Sequence, residues 1–180
     1  LMFFTNTGKA HKIKAYEIPE AARTAKGTPV VNFLSLMQRE RVTAVIPIKE
    51  FSEDKFLIAV TKDGIIKKTA LSNFDTNRKT GLIAMNLKEG DELIGIKQTT
   101  GTNNVIIVTK QGKCICFSED DVRPMGRIAG GVRAIKLDKD DEVVAMELVE
   151  PNQELLVVTK KGFGKRTKAS DYKIQVRGGK

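Results

Sequence analysis

Few residues of this chain have the type and spacing that catalysis or metal binding requires. His11 is the one histidine, and no partner cluster accompanies it, so we expect a surface or DNA-facing residue and not an acid–base group. Cys114 and Cys116 lie one residue apart and would face the same side of a strand. Zinc needs more ligands than this pair supplies. We therefore predict no catalytic residue, no metal site and two half-buried cysteines in a reducing, cytoplasmic setting.

Two tyrosines and one glycine pair resemble parts of enzyme sites, but their surroundings in the sequence do not support catalysis. Tyr16 and Tyr172 fall in loop regions of the sequence, where no base or metal ligand accompanies them. Gly162-Phe163-Gly164 is too short for a nucleotide-binding loop. We expect no cofactor on this chain and interpret its turn glycines as backbone positions with positive φ.

The strongest compositional signal is basic charge. The 180 residues include 31 Lys and Arg against 22 Asp and Glu, which gives a net charge of +9. Such an excess favours a polyanionic partner such as nucleic acid. No apolar run approaches the roughly 20 residues that span a bilayer, so we expect no membrane partner.

An internal repeat organises the chain. In four places an apolar run leads into Thr, two residues and Gly; the glycines are Gly8, Gly64, Gly112 and Gly162, with spacings of 56, 48 and 50 residues. Ten residues after each glycine stands a large apolar residue: Ile18, Phe74, Val122 or Tyr172. We place the repeats at 1–55, 56–103, 104–153 and 154–180, the last one incomplete.

Each repeat is predicted to hold four short β-strands. In the second repeat they are 56–61, 65–69, 83–87 and 92–97, and in the third they are 105–109, 113–117, 132–137 and 142–147. These stretches are rich in Val, Ile and Leu and are separated by turn residues. The apolar runs 106–108 and 155–158 are expected near the centre of their sheets.

Four strands per unit at a period of about 50 residues indicate an all-β, propeller-like architecture. Three nearly full units and part of a fourth fall short of a closed ring. We expect a part of a larger protein whose open strand edges favour dimer contacts.

The repeat also divides the charge. The first halves of the units, from the threonine to the second glycine, sum to +14, and the second halves sum to −5. Equivalent positions of a ring lie at equivalent radius, so the first halves would form one basic band. Such a band could neutralise phosphates along bent DNA. The third unit supports this basic band least, because the acidic residues Glu119-Asp120-Asp121 offset the charge of its arginines.

The repeats resemble the C-terminal domain of DNA gyrase A subunits. The resemblance rests on 3–9, 16–19, 23–27, 122–127 and 162–167 and covers essentially the whole chain. It implies a β-pinwheel, here a fragment of a six-bladed ring, in which neighbouring blades exchange strands. It also implies wrapping of double-stranded DNA on a basic outer rim, within a type IIA topoisomerase built from the gyrase A and B polypeptides. ATP and Mg would then belong to other domains of that cytoplasmic, nucleoid-associated holoenzyme.

One motif departs from the family. Its basic signature heptapeptide, of the type Gln-Arg-Arg-Gly-Gly-Arg-Gly, is matched here only by 175–180, which lacks one basic residue and the last glycine. We therefore expect the chain to resemble blades two to four with part of the fifth, and to bind DNA weakly and not supercoil it alone. Two alternatives stay open: the ParC-type subunit of topoisomerase IV, and a protein-binding propeller fragment.

The DNA-binding residues predicted from the basic band and the family resemblance are all Lys or Arg in the first halves of the repeats. They are Lys9, Lys12, Lys14, Arg23, Lys26, Lys67, Lys68, Arg78, Lys79, Lys113, Arg123, Arg127, Lys165, Arg166, Lys168, Arg177 and Lys180.

Overall fold

The chain folds into short strands joined by turns and single-turn helices. The computed structural model describes residues 1–78 and 81–179. Within them the strands are β1 Met2–Thr5, β2 Lys9–Lys12, β3 Val42–Ile46, β4 Phe56–Thr61, β5 Ile65–Ala70, β6 Leu82–Ile83, β7 Leu93–Thr99, β8 Asn104–Thr109, β9 Cys114–Ser118, β10 Val132–Arg133, β11 Val143–Val149, β12 Glu154–Val158 and β13 Gly164–Lys168. The 3-10 helices are Ala15–Glu17, Val30–Asn32, Leu71–Phe74, Glu119–Asp121 and Ala169–Asp171. The all-β prediction is confirmed.

The strands form one antiparallel sheet, or blade, per repeat. Blade one has the order β3-β1-β2-β6, blade two β10-β5-β4-β7, blade three β11-β8-β9 and blade four β12-β13. The first two strands of each repeat make a tight hairpin closed by the Thr-x-x-Gly turn. In the first hairpin the Gly8 N–H donates to the Thr5 carbonyl over 3.0 Å, and Gly8 has φ +73°. The positive φ explains why glycine stands there.

Neighbouring blades exchange strands, as the resemblance implied. β6 belongs to the second repeat but pairs with β2 of the first, and β10 of the third repeat pairs with β5 of the second. After each exchanged strand the chain bonds to the hairpin turn of the preceding repeat; the Ala84 N–H, for example, donates to the Gly8 carbonyl, and the Ala134 N–H donates to the Gly64 carbonyl. β6 and β10 therefore end at Ile83 and Arg133, earlier than the predicted ranges 83–87 and 132–137.

The exchange defines an inner and an outer edge. β7 contacts both β3 and β11 across blade boundaries, so the last strand of each repeat lies where the blades converge. The exchanged strands β6 and β10 stand at the opposite end of their sheets. We call that end the outer edge, and we call the stretches 71–78, 119–131 and 169–179, which lead towards it, the crossing segments.

The core is a stack of apolar layers between blades. One layer joins blades one and two, and within it the rings of Phe4 and Phe74 meet edge to face at 6.0 Å. A second layer joins blades two and three through residues such as Ile107 and Phe117. The blades therefore bury much of their apolar surface against their neighbours, as in other repeat proteins. Blade one also buries Phe3 against Ile13 and Leu34 of the segment that follows its hairpin.

The sequence placed two apolar runs at sheet centres, and one placement was wrong. Ile106 and Ile107 lie on β8, which is flanked by β9 and β11. Residues 155–158 form part of β12, which pairs with β13 alone among the described strands, and Leu156 is 65% exposed. The run 155–158 is equivalent in sequence to the run 106–108. Within the described residues, however, no strand pairs with the edge of β12 that faces away from β13.

Candidate nucleic-acid interface

Acidic residues of the second halves bond to the hairpin tips. Glu142 accepts ion pairs from Lys62 and Lys110 at the second and third hairpin tips, each over 3.0 Å. Glu92 accepts one over 2.9 Å from Arg41, whose carbonyl accepts the N–H of Asn6 at the first hairpin tip. Bonds with Lys110 and Lys62 hold the pKa of Glu142 below its usual range. These two carboxylates therefore neutralise cations at the hairpin end of the blades.

The crossing segments follow the same path in successive repeats. Lys68 bridges Pro124, and Cys116 bridges Ile174, in both cases in parallel orientation. The Met125 N–H donates to the Lys68 carbonyl over 2.8 Å. This recurring bridge fixes the basic residues of each crossing segment against the preceding blade.

In each of the last two crossing segments, an arginine side chain bonds to an exchanged strand. Nη1 of Arg127 donates to the Ile83 carbonyl over 2.9 Å, and Nη1 of Arg177 donates to the Arg133 carbonyl over 3.0 Å. Both arginines stand fifteen residues after their hairpin glycine. Each therefore ties its segment to an exchanged strand, and Arg177 is held further by its Nε, which donates to the Asp121 carbonyl over 2.8 Å. Lys79 has the same offset but, like Lys180, lies outside the described residues.

Two predicted phosphate ligands are not on the surface, and the structure corrects that expectation. Lys67 and Lys68 on β5 are only 1% and 4% exposed. The Lys68 ammonium donates to the Glu119 carbonyl over 2.8 Å and lies 5.5 Å from the centre of the Phe56 ring. The Lys67 ammonium is bonded to backbone carbonyls as well. Neither side chain is available to a ligand outside the protein.

Three further predicted lysines are half-buried and have partners in the protein. Lys9 donates to the Met37 sulfur over 2.9 Å, and Lys113 pairs with Asp138. Lys12 donates to the Thr76 carbonyl and lies 4.7 Å from the centre of the Phe51 ring. These contacts leave less of their charge free for phosphate.

The remaining predicted residues with described positions are exposed. Arg166 pairs with Glu154 over 3.0 Å at the surface, which leaves it accessible. The exposed set is Lys14, Arg23, Lys26, Arg78, Arg123, Lys165, Arg166 and Lys168.

The acidic run 119–121, which lowers the net charge of the third repeat, is partly buried. Glu119 is buried, and its Oε1 accepts bonds from Thr99 Oγ1 over 2.7 Å and from the Asn103 N–H over 2.5 Å. Asp121 Oδ2 accepts a longer bond from the Arg177 N–H. Of the three carboxylates, Asp120 is the exposed one. The outer edge of this repeat is thus more basic than its count of charges indicates.

The sequence also assigned one basic residue to the wrong half. Arg133 was counted with the acidic second half of its repeat, but β10 carries it to the outer edge, where it is exposed. The strand exchange implied by the resemblance was the signal that could have placed it there.

His11 is buried, which overturns the expectation of a surface residue. Its side chain is 2% exposed, and Nε2 lies 3.4 Å from Oε1 of Glu40. Cys114 and Cys116 are free thiols, half-buried and buried, and burial is the main cause that raises the pKa of both. No group of three or more metal-ligating residues occurs within residues 1–78 and 81–179. The described helices include none long and apolar enough to cross a membrane.

Blades of about 50 residues that exchange strands with their neighbours define the β-pinwheel class of repeat domains. The family model of the DNA gyrase C-terminal domain, described as a β-propeller, matches residues 1–49, 55–100, 103–150 and 153–180. The chain therefore belongs to the DNA gyrase A C-terminal domain family.

Gyrase A polypeptides are among its similar relatives. The DNA gyrase A polypeptide of Staphylococcus epidermidis is 44% identical over 183 residues, a match that covers 100% of this chain and 20% of the relative. The gyrase A polypeptide of Mycolicibacterium smegmatis is 42% identical over 182 residues, which covers 100% of this chain and 22% of the relative. The chain thus spans about a fifth of the length of these curated relatives.

Solved structures share the fold. The C-terminal domain of a DNA topoisomerase IV matches with a TM-score of 0.91 at 26% identity, over 99% of this chain and 56% of that one. A DNA gyrase A C-terminal domain matches with a TM-score of 0.83 at 28% identity, over 99% and 57%.

Proposed function

We propose that this chain binds duplex DNA along its outer edge and bends it, as a non-catalytic part of a DNA gyrase. The observation that supports this best is the separation of charge: the exposed cations of the crossing segments and β13 lie towards the outer edge, whereas Glu92 and Glu142 pair with cations at the hairpin tips. Exposed Lys and Arg neutralise phosphates without reading bases, which suits a surface that sets the path of DNA.

Bending would follow from the arrangement of the blades. Successive crossing segments meet successive sheets at equivalent places, so their cations mark a curved line around the arc. DNA that follows such a line gains phosphate contacts in return for its elastic bending cost. The wrapped segment would then support ATP-dependent negative supercoiling by the holoenzyme with the gyrase B polypeptide, in the cytoplasm at the nucleoid. No cofactor is needed on this chain for that role.

The test compares two triple variants in the full-length protein reconstituted with the gyrase B polypeptide. The outer-edge variant carries Arg123→Gln, Lys165→Gln and Lys168→Gln. The hairpin variant carries Arg41→Gln, Lys62→Gln and Lys110→Gln, which removes the same charge from residues paired with Glu92 and Glu142. We expect slower supercoiling of relaxed plasmid only for the outer-edge variant, with DNA cleavage retained by both. Equal supercoiling rates for the two variants would reject the proposal.

The topoisomerase IV type is the second candidate, because the solved topoisomerase IV domain matches the fold with the high TM-score of 0.91. The identity of 42–44% to gyrase A polypeptides favours the first candidate. The plasmid assay separates them: net introduction of negative supercoils supports gyrase, and relaxation without supercoiling supports the topoisomerase IV type.

A further inference from the structure

Lys67 carries a buried positive charge without a carboxylate among its hydrogen-bond acceptors. Its ammonium donates to the Ala84 carbonyl over 2.5 Å, to the Gly126 carbonyl over 3.4 Å and, at short range, to the Arg127 carbonyl. Backbone dipoles alone thus satisfy its three donors. Burial, with a smaller effect from the Arg127 charge, lowers the pKa of Lys67 to about 8.

The fold does not require a lysine at this position. Lys67 stands three residues after Gly64, and Ile115 stands three residues after Gly112 at the equivalent place in the next blade. Ile115 is fully buried in an apolar layer. An apolar side chain therefore fills the site in one blade, so the ammonium in blade two needs another reason.

The three carbonyls come from two segments of chain that meet at β5. Ala84 follows the exchanged strand β6, and Gly126 and Arg127 belong to the crossing segment of the third repeat. Arg127 donates back to the carbonyl of Ile83, the neighbour of Ala84. Lys67 and Arg127 thus hold the same two segments together.

We propose that Lys67 is a positioning residue whose buried ammonium holds crossing segment 119–131 in place and thereby sets Arg123 and Arg127 on the DNA-binding edge. The link to DNA rests on the proposed function; the link to the segment does not. Lys67 touches no ligand itself, so its loss acts on DNA only through the arginines that it places.

The first test measures the segment without DNA, in the full-length protein. Lys67→Met keeps the length of the side chain and removes the charge, and Lys110→Met removes a charge from an exposed hairpin tip as the control. We expect amide exchange of residues 122–131, the Met125 N–H in particular, to become at least about 10-fold faster in Lys67→Met and to stay unchanged in the control. Unchanged exchange in Lys67→Met would overturn the proposal.

The second test uses Lys67→Ala, which leaves a space lined by the three carbonyls. Methylammonium chloride is predicted to restore slow exchange of 122–131, because the small cation can occupy the carbonyl cage. Sodium chloride at the same ionic strength is the control. A role in packing alone would give no rescue by methylammonium, and that outcome would contradict a role for the charge.

The third test asks whether Lys67 acts on DNA through Arg123. Arg123→Gln is made in the wild-type protein and in Lys67→Met, and affinity for a long duplex is measured at fixed salt. We expect Arg123→Gln to weaken binding several-fold in the wild type and to have little further effect in Lys67→Met. Equal effects in both backgrounds would refute the positioning role in binding. Salt-independent binding by the wild type would instead refute the proposed function. The amide-exchange result would then still decide whether Lys67 holds crossing segment 119–131 in place.

Discussion

The Thr5 hydroxyl donates a 2.7 Å hydrogen bond to Oε1 of Glu40, thirty-five residues along the chain. Glu40 Oε1 also lies 3.2 Å from Thr7 Oγ1 and 3.4 Å from His11 Nε2, and its Oε2 accepts the Met37 N–H over 2.8 Å. The buried carboxylate thus attaches the end of the long segment 13–41 to the first hairpin. That segment carries the exposed Lys14, Arg23 and Lys26.

Glu40→Gln is expected to destabilise the first blade. The amide keeps the shape but replaces one acceptor oxygen by a donor, which leaves at least one buried bond unmade, at a cost of about 1–3 kcal/mol. Urea unfolding of the variant should show a lower midpoint. Glu20→Gln, an exposed change in the same segment, is the control and should leave the midpoint unchanged. Equal midpoints for Glu40→Gln and the wild type would contradict the structural role of the carboxylate.

Ionisation of Glu40 should contribute to the pH dependence of the free energy of unfolding. Burial raises its pKa, but the bonds from Met37, Thr5, His11 and Thr7 lower it, and the net pKa lies below the ordinary value. A carboxyl group with a depressed native pKa stabilises the fold above its unfolded-state pKa, and that contribution is lost as the pH falls through the native value. The gap in unfolding free energy between wild type and Glu40→Gln should therefore shrink on acidification below about pH 4. A gap that is constant from pH 7 to pH 3 would show that ionisation of Glu40 contributes nothing.

Gly131→Ala should be far more damaging than Gly112→Ala. Both glycines have positive φ, +84° and +86°, which costs an alanine about 1–2 kcal/mol. A Cβ on Gly131 would also lie 2.6 Å from the Ile66 carbonyl oxygen, whereas one on Gly112 meets open space. The overlap adds about 1–3 kcal/mol. Thermal unfolding of the two variants measures the difference, and equal losses would mean that the crossing segment can move away from β5 at Gly131.

The two cysteines should react slowly with alkylating reagents. Burial, and then the neighbouring Cys116, raises the pKa of the Cys114 thiol to about 11, and burial also raises the pKa of Cys116. Since the thiolate is the reactive form, little of either residue is reactive at pH 8. Mass spectrometry after iodoacetamide treatment should find both free in the native protein and both modified in urea. Rapid labelling of the native protein would disprove the packing described for β9.

The sequence predicted strands well where local pattern determines them. The range 56–61 agrees with β4 at both ends, because six consecutive apolar or β-branched residues run into a turn glycine. The exchanged strands were placed near the right residues but made too long, because their ends depend on bonds such as that from Ala84 to Gly8 in another repeat.

The site was harder to predict, because the environment of a lysine depends on distant carbonyls. Lys67 and Lys68 look like surface cations from sequence, yet their acceptors come from residues 17 to 60 positions away. His11 is misjudged for the same reason, because its partner Glu40 lies 29 positions away. The excess of basic charge and its division by repeat were visible in the sequence, whereas the choice between a free and a bonded cation required the fold.

The central claim is that cations of the outer edge, and not the net charge of the protein, bind DNA. The most direct test is the salt dependence of affinity for a long duplex, measured for the full-length wild type, the outer-edge variant and the hairpin variant. Each phosphate contact contributes about 0.9 to the slope of log affinity against log salt, so the outer-edge variant should reduce that slope by about 2.7 and the hairpin variant by close to zero. Equal reductions by both variants, or none by either, would contradict the account.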